Sequence, residues 1–294
     1  MATALWLAAL GASPDAAEAQ TVRDRLRVVD STTVQVLEMR DGSRLVGRVI
    51  DIGDSTVVFR SSGNDLALRI ADIAELEERP ADAVRNGKLW FRHPHQTTLV
   101  LGPTGRTLER GQGFFTLHEL FFAALQYGVT NHVTLGAGAT LLPGVSLDEQ
   151  IIYFLPKIAV ARTPLVNLAV GAVIVRAGDI FDISNEGAAT FGVLYGAGTF
   201  GGPDANLTTG LGFGFVGDRI SSQPLVQVGG QLRVSPGVAL ITENWMIGRQ
   251  GDDAYVLSWS GLRFLHRKAT FDAAVAFAPE EGGWLPWVGV TLGF

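Results

Sequence analysis

Successive side chains of an extended chain point to opposite faces, so a strand between two different surroundings shows a period of two. That period dominates the chain from about residue 97 onward. In QPLVQVGGQLRVSPG, Val226, Val228, Leu232 and Val234 share one face, and Gln227, Gly229, Gln231 and Arg233 share the other. ANLTTGLGFGFVGD sets Leu207, Leu211, Phe213 and Phe215 against Thr208, Gly210, Gly212 and Gly214. ATFDAAVAFAPE sets Phe271, Ala273, Val275 and Phe277 against Asp272 and small alanines. A soluble sandwich also alternates, but its exposed face carries many Lys, Glu and Asp residues. Here the second face is Gly, Ala, Thr and Ser. Apolar side chains outward and small polar ones inward is the pattern of a transmembrane β-barrel, whose closed sheet leaves no unpaired backbone edge in lipid.

The spacing predicts about twelve strands between Thr97 and Phe294, an even number of the kind single-chain barrels have. Connections alternate in length. TGRTLERGQ, PGVSLDEQ, GDIFDISNEG, GDRISSQ, GRQGDDA and PEEGGWLP are the longer set; those around VTN, RTP, GGPDAN, SPG and HRK are mostly shorter. Short turns at the periplasmic side and long loops outside would put both barrel ends in the periplasm. The last segment, WLPWVGVTLGF, places Val288, Val290, Leu292 and Phe294 on one face.

Residues 34–78 have a different texture. VQVLEM, RLVGRVI, TVVFR, LALRI and IAELEE are five brief strand signals, and Asp41-Gly42 between the first two is a hairpin signal. Arg44, Arg48, Arg60 and Arg69 read as a solvated face. The stretch resembles an SH3-like or Sm-like small β-barrel, which would bind a periplasmic protein or peptidoglycan, or act as a plug or spacer. Before it, MATALWLAALGASPDAAEAQ has the form of a secretory signal, with an apolar run from Ala2 to Leu10 and Ala17-Glu18-Ala19 before Gln20. The expected organisation is a signal peptide over 1–19, a small periplasmic module over 30–80, a linker over 81–96 and an outer-membrane barrel over 97–294.

Composition agrees with an all-β membrane reading. The 294 residues are 47% hydrophobic and only 18% charged, with 36 glycines and no cysteine. The apolar stretch IIYFLPKIAVARTPLVNLAVGAVIV is broken by Pro156, Lys157, Arg162, Pro164 and Asn167, so it is no spanning helix. Without cysteine there is no disulfide and no thiolate metal site. A formal charge of −6 argues against a nucleic-acid partner.

Charges inside predicted strands should face the lumen, because an Arg on the lipid face at mid-membrane costs about 2–4 kcal/mol. The candidates are Glu119, Arg233, Glu243, Arg263 and Asp272. An enzymatic alternative would draw on His118 with Glu119, Glu243 with Asn244, or Ser258 and Ser260 with His266, as in a lipid deacylase. No G-x-S-x-G context accompanies them, and no catalytic residue or cofactor is assigned. His93 and His95 lack the further ligands a metal site requires. Trp245, Trp259, Trp284 and Trp287 are expected at the membrane interface or in loops.

NGKLWFRHPHQTTLVLGPTGRTLERGQGFF, LQYGVTNHVTLGAG, ITENWMI and LSWSGLRF together resemble a family of uncharacterised bacterial outer-membrane β-barrel proteins, over roughly residues 86–294. The terminal strand ending in Phe294 is similar to the signal that barrel-assembly machinery reads. The resemblance implies a place in the outer membrane of a Gram-negative cell, in contact with its lipid. Three functions stay open: a narrow porin-like channel or transporter for small solutes, a structural or assembly scaffold of the envelope, and a lipid-modifying enzyme.

Overall fold

The structure is a computed structural model that describes residues 22–85, 88–91, 93–146, 149–177, 190–248, 254–278 and 282–294. The signal peptide expected over residues 1–19 lies outside the described residues. The chain divides into two compact units, Met1–Phe91 and Arg92–Phe294.

The first unit is an antiparallel sheet of β1 (Thr33–Met39), β2 (Arg44–Ile52), β3 (Thr56–Ser61), β4 (Asn64–Arg69) and β5 (Ile73–Pro80), in the order β4-β3-β2-β1-β5. A two-stranded ribbon, β6 (Val84–Arg85) and β7 (Lys88–Leu89), follows. Leu37, Val49, Val57, Phe59 and Ile73 form its core, and Val22 and Leu26 from the segment ahead of β1 complete it. Burying these side chains contributes roughly 1.5–3 kcal/mol each relative to exposure. The buried Gln35 is fully satisfied: its Nε2 donates to Arg27 O at 2.9 Å and its Oε1 accepts from Val49 N at 2.8 Å. Gly42 takes φ +82° in the β1–β2 turn, a conformation that only glycine adopts at no steric cost.

The second unit contains β8 (Gly113–His118), β9 (Phe122–Gly128), β10 (Val133–Thr140), β11 (Ile152–Phe154), β12 (Lys157–Arg162), β13 (Val166–Arg176) and β14 (Thr190–Gly201). It continues with β15 (Ala205–Val216), β16 (Arg219–Ser235), β17 (Val238–Gly248), β18 (Ala254–His266), β19 (Ala269–Ala278) and β20 (Gly283–Gly293). β11 and β12 both pair with β10 and β13, so they are one strand interrupted at Leu155-Pro156, where proline supplies no N–H to the ladder. Counted that way, the described residues form a closed antiparallel barrel of twelve strands. Closure runs through β20 and β8, from Gly289 opposite His118 to Gly293 opposite Phe114. The main chains of Phe294 and Gly113 exchange two hydrogen bonds at 2.9 and 3.0 Å, completing the seam.

Two strand assignments differ from the expected ones. Residues 97–112 form no barrel strand; as far as Leu108 they run inside the barrel. The count is restored because 113–128 is not one segment but the hairpin of β8 and β9. Its turn uses Glu119 at φ +49° and Leu120 at φ +63°, two consecutive left-handed residues as in a type I′ turn. Neither residue type announces that conformation, so the sequence reads as unbroken strand. The β15–β16 connection is also tighter than GDRISSQ suggested: β16 begins at Arg219, directly after Gly217-Asp218.

The outer surface is apolar. Leu207, Leu211, Leu232, Val234, Leu240, Phe264, Phe271 and Leu292 are all exposed. Charged residues of the barrel strands are either buried (Lys157, Arg233, Glu243, Arg263, Asp272) or sit at strand ends (Arg162, Arg176, Arg219).

Candidate functional site

The barrel interior is occupied by the chain's own residues 93–108. Between Thr97 and Thr104 this segment folds into a tight loop: Leu99 N donates to Gly102 O at 2.9 Å and Thr104 N to Thr97 O at 3.0 Å. Val100 is fully buried, and Leu99, Thr97 and Thr104 are nearly so. A backbone turn in such a place has N–H and C=O groups that must be paired. The barrel wall pairs them with side chains.

Glu243 on β17 does most of this on one side. Its Oε2 accepts from Val100 N at 2.8 Å and Leu101 N at 3.0 Å, and its Oε1 from Gly102 N at 2.8 Å and Trp245 Nε1 at 2.6 Å. Three successive backbone N–H groups thus converge on one carboxylate, an anion nest built around a side chain. Lys157 on β12 does the opposite work. Its buried Nζ donates to Thr97 O at 2.6 Å, Arg106 O at 3.2 Å and Thr104 O at 3.3 Å. One buried anion holds the loop's donors, and one buried cation holds its acceptors.

Other strands add further ties. Arg263 on β18 forms a bidentate pair with its cross-strand neighbour Asp272, both bonds at 2.7 Å, and donates a third bond to Leu99 O at 2.6 Å. Gly105 N donates to Thr199 Oγ1 and Leu108 N to Thr134 Oγ1, each at 2.9 Å. Two glycines allow the close approach. A Cβ on Gly105 would strike the Asn167 carbonyl, and one on Gly102 would strike the Gln227 side chain and the Trp245 ring. An apolar contact of Leu99 and Val100 with Ile241 and Trp259 completes the seat.

The expected lumen charges divide into three groups. Glu243, Arg263 and Asp272 surround the internal segment. Arg233 is buried lower down, where it pairs with Asp204 Oδ1 at 3.0 Å and donates to Ser235 O at 3.3 Å, tying together two turns at one end of the barrel. Glu119 is not within a strand at all. It lies in the β8–β9 turn, and its Oε1 accepts from Val288 N at 2.6 Å. Lys157 was absent from the expected set because Pro156 beside it broke the alternation.

The tryptophans also fall differently. Trp245 and Trp259 alternate with Glu243 and Arg263 and therefore share the interior face; Trp287 packs on Trp259 with ring centroids 6.2 Å apart. Trp284 alone of the four is largely exposed. In the segment's approach, His93 Nδ1 accepts from His95 N at 3.2 Å and His95 Nε2 lies 2.7 Å from Thr98 Oγ1. No group of three or more potential metal ligands occurs among the described residues. Ser260 and His266 are exposed on β18 in the same phase as Ser258, and Thr242 Oγ1 lies 3.0 Å from Ser260 Oγ. They occupy the face opposite to Glu243, so the residues considered for catalysis do not converge. Val290, Leu292 and Phe294 are exposed on the outer face of β20.

No protein-family model and no curated protein matches the chain. Among solved structures, it is similar to a KdgM porin in complex with disordered oligogalacturonate, at 11% identity and a TM-score of 0.45, covering 62% of this chain and 98% of that one. It is similar to a NanC porin at 10% identity and a TM-score of 0.40, covering 62% and 97%. A loop-deletion mutant of OmpT, an outer membrane protein of Vibrio cholerae, gives 11% identity and a TM-score of 0.37 over 90% and 97%.

Proposed function

We propose that the chain is an outer-membrane β-barrel protein that acts as a narrow channel for small solutes and is held closed by its own residues 97–108. The apolar outer belt supports the membrane setting, since only a closed sheet satisfies its backbone in lipid while presenting such a face. The periplasmic side is assigned to the end where the barrel's first and last strands meet. The first unit is then a periplasmic module, SH3-like in character, that contacts peptidoglycan or another envelope protein. Barrel-assembly machinery would read Val288, Val290, Leu292 and Phe294.

One observation carries the channel reading: the internal segment is fastened chiefly by polar and ionic contacts from Glu243, Lys157 and Arg263, and only locally by apolar packing. Among the described residues, inward polar atoms of His95, His118, Gln227, Trp259 and Trp287 are shielded from solvent and have no hydrogen-bond partner, so the seat is incompletely paired. A polar, incompletely paired seat lets a segment shift and re-pair, which a close-packed apolar core opposes.

The scaffold reading is favoured by the same filled interior if the segment never moves. Planar-bilayer recordings of the purified chain and of Glu243→Gln separate the two. Gated closure predicts rare, brief openings in the unmodified protein and at least a tenfold higher open probability in Glu243→Gln, because the neutral amide keeps the shape but loses the charge-assisted bonds. Absence of current from both correctly folded proteins would establish the scaffold.

A further inference from the structure

We infer that the end of the barrel where its first and last strands meet contains a binding site for a small oxyanion, a carboxylate or phosphate compound. A cavity of about 450 Å³ opens there between the internal segment and the short turns, within the size range of small-molecule sites. Its walls carry Arg106, Arg162, Arg267 and Lys268; the opposing charge among the lining residues is Glu109. Positive groups are in excess.

Arg106 makes the case specific. It is only 8% exposed, yet its guanidinium donates to neutral oxygens, Gln96 Oε1 at 2.5 Å and Gly201 O at 2.8 Å. Among the described residues its hydrogen-bond acceptors are neutral, which leaves a buried cation with most of its desolvation cost, a cost that an anion beside it would offset. Arg162 likewise donates to a neutral acceptor, the Asn131 carbonyl. The guanidinium fork matches the two oxygens of a carboxylate or the edge of a phosphate. Phe114 and Pro164 give the same cavity an apolar wall, suited to the carbon skeleton of an organic acid.

The site rests on the barrel reading above, but it needs no conduction, so binding is measured separately from current. The full chain, purified in detergent and shown to be folded by its heat-modifiable mobility, is titrated calorimetrically with malonate, with inorganic phosphate and with neutral malonamide at constant ionic strength. Malonate or phosphate should bind at least tenfold more tightly than malonamide, and the tighter of the two identifies the class. Arg162→Gln combined with Lys268→Gln should weaken that anion at least fivefold while leaving the unfolding midpoint of the free protein unchanged; Arg106→Gln should weaken it at least tenfold. Equal binding of all three probes, no binding of any, or undiminished affinity in the double variant would overturn the inference.

Discussion

At the scale of residues, buried charges hold the interior together, and each is costly when its partners are lost. The Arg263–Asp272 pair is almost wholly removed from solvent, with side-chain exposures of 0% and 2%. Removing one member of a buried pair leaves the other uncompensated and costs about 3–5 kcal/mol. Asp272→Asn should therefore lower the temperature at which the compact band converts to the unfolded one, whereas Asp272→Asn with Arg263→Met should recover much of the loss. If the single variant melts with the unmodified chain, the pair is not a structural tie. Alternation made Asp272 legible as an inward charge, because its same-face neighbours Thr270 and Ala274 are small; Glu243 and Arg263, which share their faces with Ile241, Trp245 and Leu265, were legible only through the cost of a charge in lipid. It said nothing of what they hold, since the partner atoms are backbone groups of residues 97–102, far away in sequence.

At the scale of elements, the five strands of the first unit were legible from their turns and apolar runs, and its surface ion pairs invite a pH test. Hydrogen bonds from Arg60 hold the Asp65 carboxyl below its ordinary range, and those from Arg27 do the same for Glu78. A depressed carboxyl stabilises the folded state above its unfolded pKa, and that contribution disappears as pH falls through the folded value. Both groups are solvent-exposed, so the effect is small. Hydrogen exchange followed on the intact chain should show the β3–β4 hairpin and the end of β5 losing protection as pH drops below about 4, once rates are corrected for intrinsic exchange. Asp65→Asn should flatten the dependence in the hairpin. Protection that stays constant down to pH 2 would show that these bonds contribute nothing. The barrel's first elements were less legible. Thr97–Leu101 has the composition of a strand, but the N–H groups of Val100 and Leu101 are claimed by Glu243 and that of Leu99 by Gly102 O within its own loop, not by a neighbouring strand. The β8–β9 turn at Glu119-Leu120 is enforced by pairing on either side, against the residues' own preference.

At the scale of the whole molecule, the sequence carried the closed barrel because two solvents imposed a period of two on nearly every strand. It did not carry the filled interior, because an internal segment has no period of its own and borrows its hydrogen-bond partners from five strands, β10, β12, β14, β17 and β18. The account stands on that segment: residues 97–108 lie within the barrel, fastened by Glu243 and Lys157. The chain contains no cysteine, so a single Val100→Cys substitution reports on one buried position with no background. In lipid, with the compact band intact, a water-soluble maleimide should leave this cysteine unmodified, react fully after boiling, and react at least tenfold faster when Glu243→Gln is added without loss of the compact band. Rapid modification of the folded barrel, or a rate indifferent to Glu243→Gln, would contradict the account.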